Sequence, residues 1–226
     1  MNRAALLTRL ADLIVQVRRR HPVRVAIDGM AAAGKTVLAD ELMIPIQRRG
    51  RPVIRASVDG FHRPRAERYR RGANSPQGYY YDAFDYAAVR NALLLSLGPG
   101  GSRQYRLATF DFRADTPVVA PPRAAPDDAV LLCDGVFLLR SELDDCWDFR
   151  ILVQVDDEIA VRRACQRDQH LFGEGDAVAA RYWERYVPAQ RIYLETVRPQ
   201  ERADVVVDND DLLHPRMSIV RRAAGI

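Results

Sequence analysis

Short, continuous apolar runs recur along the chain and alternate with segments of helical periodicity. Runs with the length and hydrophobicity of buried parallel strands lie at residues 23–27, 52–58, 129–133, 149–155 and 203–207. Helical segments are predicted at 37–49, at 86–97 and in two stretches over 158–198 that break near 173–175. This alternation predicts an α/β fold, a largely parallel sheet of about five strands flanked by helices on both faces.

Three segments lie outside this alternation. Residues 104–112 have the pattern of a further strand. Residues 63–81 contain glycine and proline at irregular spacing, and residues 113–128 are rich in proline and acidic at their end; both patterns are typical of surface loops.

The N-terminal segment, residues 1–20, is rich in arginine, which raises the alternative of a transit peptide. Its apolar residues fall at helical spacing, namely Leu6, Leu10, Leu13, Ile14 and Val17. Since Asp12 also interrupts the positive charge, we predict an amphipathic helix packed on the domain. No apolar run approaches the roughly 18 residues of a membrane span, so no membrane segment is expected.

The length of 226 residues suits a single domain, 1–226, with a helical lid and the following helix over 158–190. The net charge of +4 comes from 34 basic and 30 acidic residues, which is a mild excess. An anionic small molecule such as a nucleotide accounts for it as well as nucleic acid does. The three cysteines form no C-x-x-C pair, which favours a reducing cytoplasm.

Candidate chemistry begins with the only lysine of the chain, Lys35, which stands among 33 arginines. It lies in the segment Gly29-Met30-Ala31-Ala32-Ala33-Gly34-Lys35-Thr36. This segment matches the P-loop pattern G-x-x-x-x-G-K-[ST], and it has the strand before it and the helix after it that the pattern requires. We therefore predict that the loop amides bind nucleotide phosphates, that Lys35 reaches the β- and γ-phosphates, and that Thr36 binds Mg²⁺.

A P-loop alone is compatible with GTPase switches, ATPase motors and small-molecule kinases. With no lysine besides Lys35, the N-K-x-D motif of guanine-specific GTPases is impossible. Motors usually need more chain, and the glycines do not form the G-x-G-x-x-G of dinucleotide-binding folds. A kinase is favoured by elimination, while a P-loop module that binds or hydrolyses nucleotide as a regulatory switch stays open.

Two aspartates follow predicted strands and are candidates for the reaction. Asp59 follows the second strand and Asp134 follows a central one, so both are expected at the carboxyl edge of the sheet, where ligands bind. Phosphoryl transfer needs a carboxylate near Mg²⁺ and another that accepts the proton of the attacking hydroxyl. We assign Asp134 to the metal and Asp59 to the proton, with Phe61 and His62 lining the acceptor pocket.

Several short motifs occur in a fixed order after the P-loop. They are Asp59-Gly60-Phe61-His62-Arg63-Pro64, Asp82-Ala83-Phe84-Asp85, Phe110-Asp111-Phe112, Asp134-Gly135, Arg162-Arg163, Arg167-Asp168 and Ala203-Asp204-Val205. In this order the chain resembles the uridine kinase family, within the group that includes phosphoribulokinase and bacterial pantothenate kinase. The resemblance covers residues 23–208.

The resemblance implies an ATP- or GTP-dependent kinase that phosphorylates a nucleoside 5′-hydroxyl. It implies Asp59 as the base, Thr36 and Asp134 as the Mg²⁺ pair, and Arg167 as a lid arginine over the transferring phosphate. A surface ion pair between Arg167 and Asp168 is the alternative. The resemblance also places Phe110 and Asp111 at the acceptor, and it suggests that copies of the chain can associate.

The acceptor motifs depart from the family pattern. Tyr79 stands where uridine kinases carry an aspartate that binds the ribose hydroxyls, and the histidine expected shortly after Phe112 is missing. Despite these departures, a nucleoside remains the first expectation for the acceptor. Pantothenate, sugars and sugar phosphates stay open because of them. The arginines and tyrosines of 63–81 also resemble a single-strand nucleic-acid surface. Because this cluster directly follows Asp59, we interpret it as a wall of the acceptor pocket and expect no nucleic acid.

Overall fold

The computed structural model describes residues 1–220, apart from the side chains of Leu171 and Phe172. Residues 221–226 of the predicted domain lie outside the described residues. The helices are α1 (Arg3–Gln16), α2 (Lys35–Gln47), α3 (Arg65–Arg68), α4 (Tyr86–Val89), α5 (Asp157–Arg167), α6 (Gln169–Phe172), α7 (Gly175–Arg181), α8 (Val187–Val197) and α9 (Pro199–Arg202). The strands are β1 (Val23–Gly29), β2 (Val53–Ser57), β3 (Gln104–Tyr105), β4 (Phe110–Asp111), β5 (Thr116–Pro117), β6 (Arg123–Ala124), β7 (Val130–Gly135), β8 (Phe149–Gln154), β9 (Val205–Asp208) and β10 (Arg216–Ile219). None of the helices within 1–220 is long and apolar enough to cross a bilayer.

The main sheet confirms the predicted α/β architecture. Its strand order is β10-β9-β8-β1-β7-β2, and all neighbours are parallel except β10, which runs antiparallel to β9. β1 occupies an interior position, with Ala26 opposite Cys133 of β7 and Arg150 of β8. Because β1 and β7 are buried at every position, their continuous apolar runs are those of strands covered on both faces.

Two layers of apolar side chains cover the two faces of the sheet. On one face, Val25 and Ile27 of β1 pack with side chains of α1, α2 and α5. On the other, Ala26 packs with the segment around α4 and with Tyr193 of α8. Successive β1 side chains alternate between the layers, as the twofold period of a strand requires. The P-loop strand is thereby fixed from both sides.

Several predicted segments differ from the structure. The loop predicted over 63–81 contains α3, and the loop predicted over 113–128 contains β5 and β6. The N-terminal helix ends at Gln16 rather than near residue 20, because Val17 adopts an extended conformation. The strand predicted over 104–112 is two separate two-residue strands, β3 and β4. Between them the chain crosses Gly60, where a Cβ atom would lie 2.5 Å from the Leu107 carbonyl oxygen, and Thr109 N–H bonds the Gly60 carbonyl. This tertiary contact occupies backbone groups that a continuous ladder would have used.

Candidate active site

The phosphate-binding turn connects β1 to α2 at the carboxyl edge of the sheet. Gly29 has φ +149°, and a Cβ there would lie 2.2 Å from the Val153 carbonyl oxygen, so only glycine fits. Gly34 caps α2 in the left-handed conformation with φ +93°. The N-terminus of α2 therefore begins at Lys35 with its free amides facing the turn, which is the arrangement that binds phosphate.

The Lys35 side chain lies folded inside the turn. Its Nζ donates a 2.6 Å hydrogen bond to the Met30 carbonyl, and the residue is only 7% exposed. Burial lowers the pKa of the Lys35 ammonium, while the carboxylates of Asp134, Asp28 and Asp59 oppose this shift. Anionic phosphate oxygens would add to the groups that keep Lys35 charged.

Thr36 and Asp134 form the candidate metal site. Thr36 Oγ1 donates a 2.7 Å hydrogen bond to Asp134 Oδ2. Arg55 Nη2 lies 2.8 Å from Asp134 Oδ1 and forms an ion pair with it. A hydroxyl beside a buried carboxylate is a donor set suited to a hard cation, so these residues fit Mg²⁺.

Asp59 and His62 lie on the acceptor side, in and just after the 3₁₀ turn Val58–Phe61. The His62 Nδ1 atom is 2.9 Å from the Asp59 carbonyl oxygen, and the ring lies 4.4 Å from Phe84 and 4.6 Å from Phe112 between ring centres. Burial is the main cause that lowers the pKa of the His62 imidazole. A neutral imidazole that packs on two aromatic rings is suited to lining the cleft beside Asp59, and not to donating a proton in the reaction.

A cleft of about 200 Å³ joins the two sides. It brings together most of the residues that the sequence analysis assigned to the reaction, namely Ala31, Ala32, Lys35, Thr36, Asp59, His62, Tyr79, Asp134 and Arg167. Phosphate, metal and hydroxyl positions can therefore face one another within a single space. This is the arrangement that in-line phosphoryl transfer requires.

Arg167 reaches the cleft from the end of α5. It lines the cleft and forms a paired interaction with Asp168 at 2.6 and 3.0 Å, while its contact with a transferring phosphate stays a prediction. The Tyr182 hydroxyl donates to the buried Asp168 at 2.9 Å. The hydrogen bond from Arg167 to Asp168 is the main cause that raises the pKa of Arg167. The ion pair thus orients the guanidinium toward the cleft.

Three of the predicted acceptor residues lie away from the cleft. Phe61 is fully buried in the core beneath the 3₁₀ turn, so its assignment to the acceptor pocket is wrong. Phe110 and Asp111 line a neighbouring open cavity of about 610 Å³ that also borders Thr36 and Asp59. The Asp111 carboxylate accepts bonds from two backbone amides of its own turn, which lower its pKa. Within the described residues, Asp111 serves the turn.

Sequence reasoning missed two residues that support the P-loop. Asp28 is fully buried at the end of β1, accepts a 2.5 Å bond from the Tyr193 hydroxyl, and has its pKa raised by burial. Asn209 follows β9, and its Nδ2 donates a 2.8 Å bond to the Ala33 carbonyl. Asp28 could have been found by the strand-end rule that found Asp59, whereas nothing local marks Asn209.

The fold and this cleft together define a class of protein. A parallel sheet whose interior strand ends in a phosphate-binding turn, with a lysine, a hydroxyl and a carboxylate beside it, is a P-loop phosphotransferase. The model of the "Phosphoribulokinase / Uridine kinase family" matches residues 25–211, and the chain belongs to this family. It is an ATP-dependent phosphotransferase that acts on a hydroxyl group.

Individual relatives are similar along most of their length. Uridine-cytidine kinase B of Dictyostelium discoideum is 25% identical over 189 residues, which are 83% of this chain and 75% of that protein. Uridine kinase of Lactobacillus helveticus is 27% identical over 195 residues, 82% of this chain and 86% of that protein. The structure of a possible uridine kinase from Bacillus stearothermophilus superposes with a TM-score of 0.69 at 26% identity, covering 90% of this chain and 97% of that one.

Proposed function

We propose that the protein transfers the γ-phosphoryl group of ATP to the 5′-hydroxyl of a nucleoside. The observation that carries this proposal is the single cleft in which Lys35, Thr36 and Asp134 face Asp59. The names of its relatives, uridine kinase and uridine-cytidine kinase, supply the acceptor class. Its departures from the family lie on the acceptor side of the same cleft.

On the nucleotide side, the turn amides and Lys35 bind the β- and γ-phosphates. Lys35 exchanges its bond to the Met30 carbonyl for phosphate oxygens, a short movement of a flexible stem. Thr36 and Asp134 would hold Mg²⁺, which would neutralise charge that develops on the phosphates. Arg55, which lies 2.8 Å from Asp134 Oδ1, holds that carboxylate in place.

On the acceptor side, Asp59 accepts the proton of the attacking hydroxyl. As the oxygen–phosphorus bond forms, the hydroxyl proton passes to the carboxylate and ADP leaves with the electrons of the broken bond. Arg167, held by Asp168, stabilises the negative charge on the transferring group. His62 and Tyr79 exclude water from the opposite wall.

Asp59→Asn tests the proposal because it retains the shape and removes the base. We expect acceptor-dependent ADP release to fall about 10²–10⁴-fold while ATP binding is unchanged. Asp12→Asn, at a partly exposed ion pair on α1, is the matched control and should keep full activity. ADP release is measured with and without uridine and cytidine. Turnover that needs no acceptor, or that survives in Asp59→Asn, would contradict the proposal and favour a nucleotide-hydrolysing switch.

We also infer that the protein works in the cytoplasm. Cys133, Cys146 and Cys165 are all free, and the first two are buried. Burial raises the pKa of the Cys133 and Cys146 thiols, which keeps them protonated and unreactive. A reducing compartment suits a chain with three free thiols, two of which pack in its core.

A further inference from the structure

A second cavity opens beyond the acceptor side of the cleft. Its volume is about 410 Å³, and it shares His62, Tyr79, Phe112 and Tyr186 with the cleft. The two spaces therefore meet at one aromatic wall. An acceptor whose hydroxyl lies at Asp59 can extend past this wall into the second cavity.

This second cavity, which we call the arginine pocket, is lined by four arginines: Arg65, Arg68, Arg113 and Arg185. Its other lining residues are aromatic apart from Ala83, and no aspartate or glutamate among the described residues lines it. Of the four guanidinium groups, only that of Arg68 has a carboxylate partner within residues 1–220, Asp115 at 3.3 Å. The pocket thus carries an excess of positive charge.

Arg185 carries the main argument because it is buried and lacks a counterion. It is 2% exposed, Nη1 donates to the Ala73 carbonyl at 2.5 Å, and Nε has no hydrogen-bond partner. Its guanidinium lies over two rings, 5.0 Å from the centre of Tyr69 and 5.3 Å from that of Tyr79. Burial lowers the pKa of Arg185, and the neighbouring Arg181 adds to this shift.

Arg68 is a second buried arginine of the pocket, and unlike Arg185 it has a carboxylate partner. It is 7% exposed, and Nη2 donates to the Phe112 carbonyl and to Asp115 Oδ1, both at 3.3 Å. Its Nε also has no hydrogen-bond partner. A buried charge without a counterion destabilises the protein unless an anion compensates it. Arg185, together with the unmet Nε donor of Arg68 beside the same cavity, therefore indicates a ligand that supplies the anion.

We propose that the arginine pocket binds an oxyanion, a phosphate or carboxylate, that the acceptor carries at the end remote from the reacting hydroxyl. This inference rests on the proposed kinase function and narrows its acceptor to a nucleoside that bears an acid group. A neutral pyrimidine would leave Arg185 without a counterion. Arginine recognises both oxyanions through paired N–H donors, so the two acids share one chemistry.

The phosphates of ATP are not this anion, because they belong to the far side of the cleft. None of the four pocket arginines lines the cleft that holds Lys35 and Thr36, whereas Arg167 does. Arg167 and the four arginines of the arginine pocket therefore line different spaces, and we expect them to bind different anions. Arg167 serves the transferring phosphate and the arginine pocket serves the acceptor.

The first experiment compares neutral and acidic acceptors. ADP release is measured with uridine and with two acidic derivatives of it, uridine 3′-monophosphate and uridine 6-carboxylate, each of which has a free 5′-hydroxyl. Pantothenate and a pentose 5-phosphate are included as acidic acceptors that are not nucleosides. We expect kcat/KM for at least one acidic compound to exceed that for uridine about 100-fold, the scale of two charge-assisted hydrogen bonds. A uridine value equal to or above all the acidic ones overturns the inference and leaves the proposed function standing. A preference for an acidic compound that is not a nucleoside supports the inference and overturns the nucleoside assignment.

The second experiment assigns the preference to the arginines. Arg185→Lys keeps a charge but loses the paired donors, and Arg68→Gln loses the charge. Each should lower kcat/KM for the preferred acid about 10–100-fold and change that for uridine less than about threefold. Arg191→Gln, on the exposed side of α8, is the matched control and should change neither. Equal losses for acidic and neutral acceptors would show a merely structural role and overturn the inference.

A binding measurement gives a readout that needs no turnover and detects a free anion. Inorganic phosphate is titrated into the protein saturated with Mg²⁺ and a non-hydrolysable ATP analogue. We expect binding that Arg185→Lys weakens about tenfold and Arg191→Gln does not, with the preferred acidic acceptor competing for the site. Absence of phosphate binding, or phosphate that activates turnover of uridine without competing with an acid, overturns the assignment to the acceptor.

Discussion

The two sides of the cleft are built in different ways. The nucleotide side comes mainly from one continuous segment, residues 29–36, whose backbone amides and Lys35 we propose to bind the phosphates. The acceptor side comes from separate segments that contribute the side chains His62, Tyr79, Phe112 and Arg185. We therefore expect phosphate binding to depend mainly on one local segment, and selection of the acceptor to depend on side chains from distant segments.

The largest expected effect lies on the nucleotide side. Lys35→Arg keeps the positive charge, but a planar guanidinium cannot occupy the turn where Nζ lies 2.6 Å from the Met30 carbonyl. We expect kcat/KM to fall by about three orders of magnitude for every acceptor alike. Steady-state ADP release with acidic and neutral acceptors measures this.

The reverse replacement at an exposed site controls for the chemistry of the side chain. Arg48→Lys, after the end of α2, should retain full activity because Arg48 is exposed. A Lys35→Arg variant that kept near-normal turnover, or lost it with one acceptor only, would show that the two sides are not separate in function.

The next effect tests how the remote Asn209 supports the same side. Asn209→Ala removes the bond to the Ala33 carbonyl and the acceptor for Arg3 Nη1, at 2.8 and 3.1 Å. We expect KM for ATP to rise about tenfold and the free energy of unfolding to fall by about 1–2 kcal/mol, with KM for the acceptor unchanged. Initial-rate kinetics and urea denaturation measure both.

The exposed Asn91 offers the matched control for this change. Asn91→Ala should leave both quantities unaltered, since its side chain is exposed. If Asn209→Ala raised KM for the acceptor rather than KM for ATP, Asn209 would support the acceptor side of the cleft and not the nucleotide side.

The same division explains how far the sequence predicts the structure. The strands, the P-loop and the partners Thr36 and Asp134 follow from patterns that are local, or from the rule that parallel strands end at one edge. The strand order, the antiparallel β10 and the bracing by Asn209 depend on contacts between distant segments. No periodicity within a short window encodes them.

Phe61 illustrates the limit on the acceptor side. It is adjacent to His62 and two residues from Asp59, so the sequence placed it in the pocket with them. In the 3₁₀ turn, however, its side chain points into the core while Asp59 and His62 line the cleft. The turn decides which neighbours share a face, and the sequence pattern predicted no such turn.

The smallest expected effect concerns pH and lies on the acceptor side. The pKa of His62 is lowered from about 6.5, chiefly by burial and also by Arg68, although Asp59 opposes the shift. Between that lowered pKa and 6.5 the unfolded chain binds more protons than the folded one, so the stability that neutral His62 contributes is lost as pH falls. His62→Phe retains the stack on Phe84 and should reduce this loss between pH 7.5 and 5.5, at a cost of about 1 kcal/mol or less at pH 7.5. Urea denaturation at both pH values measures the difference, with His214→Phe at an exposed site as control. If the stability of His62→Phe depended on pH as that of the wild type does, proton uptake on the acceptor side would not involve His62. If turnover of the acceptor improved at low pH in the wild type but not in His62→Phe, the imidazole would be a charged partner of the acceptor's acid group.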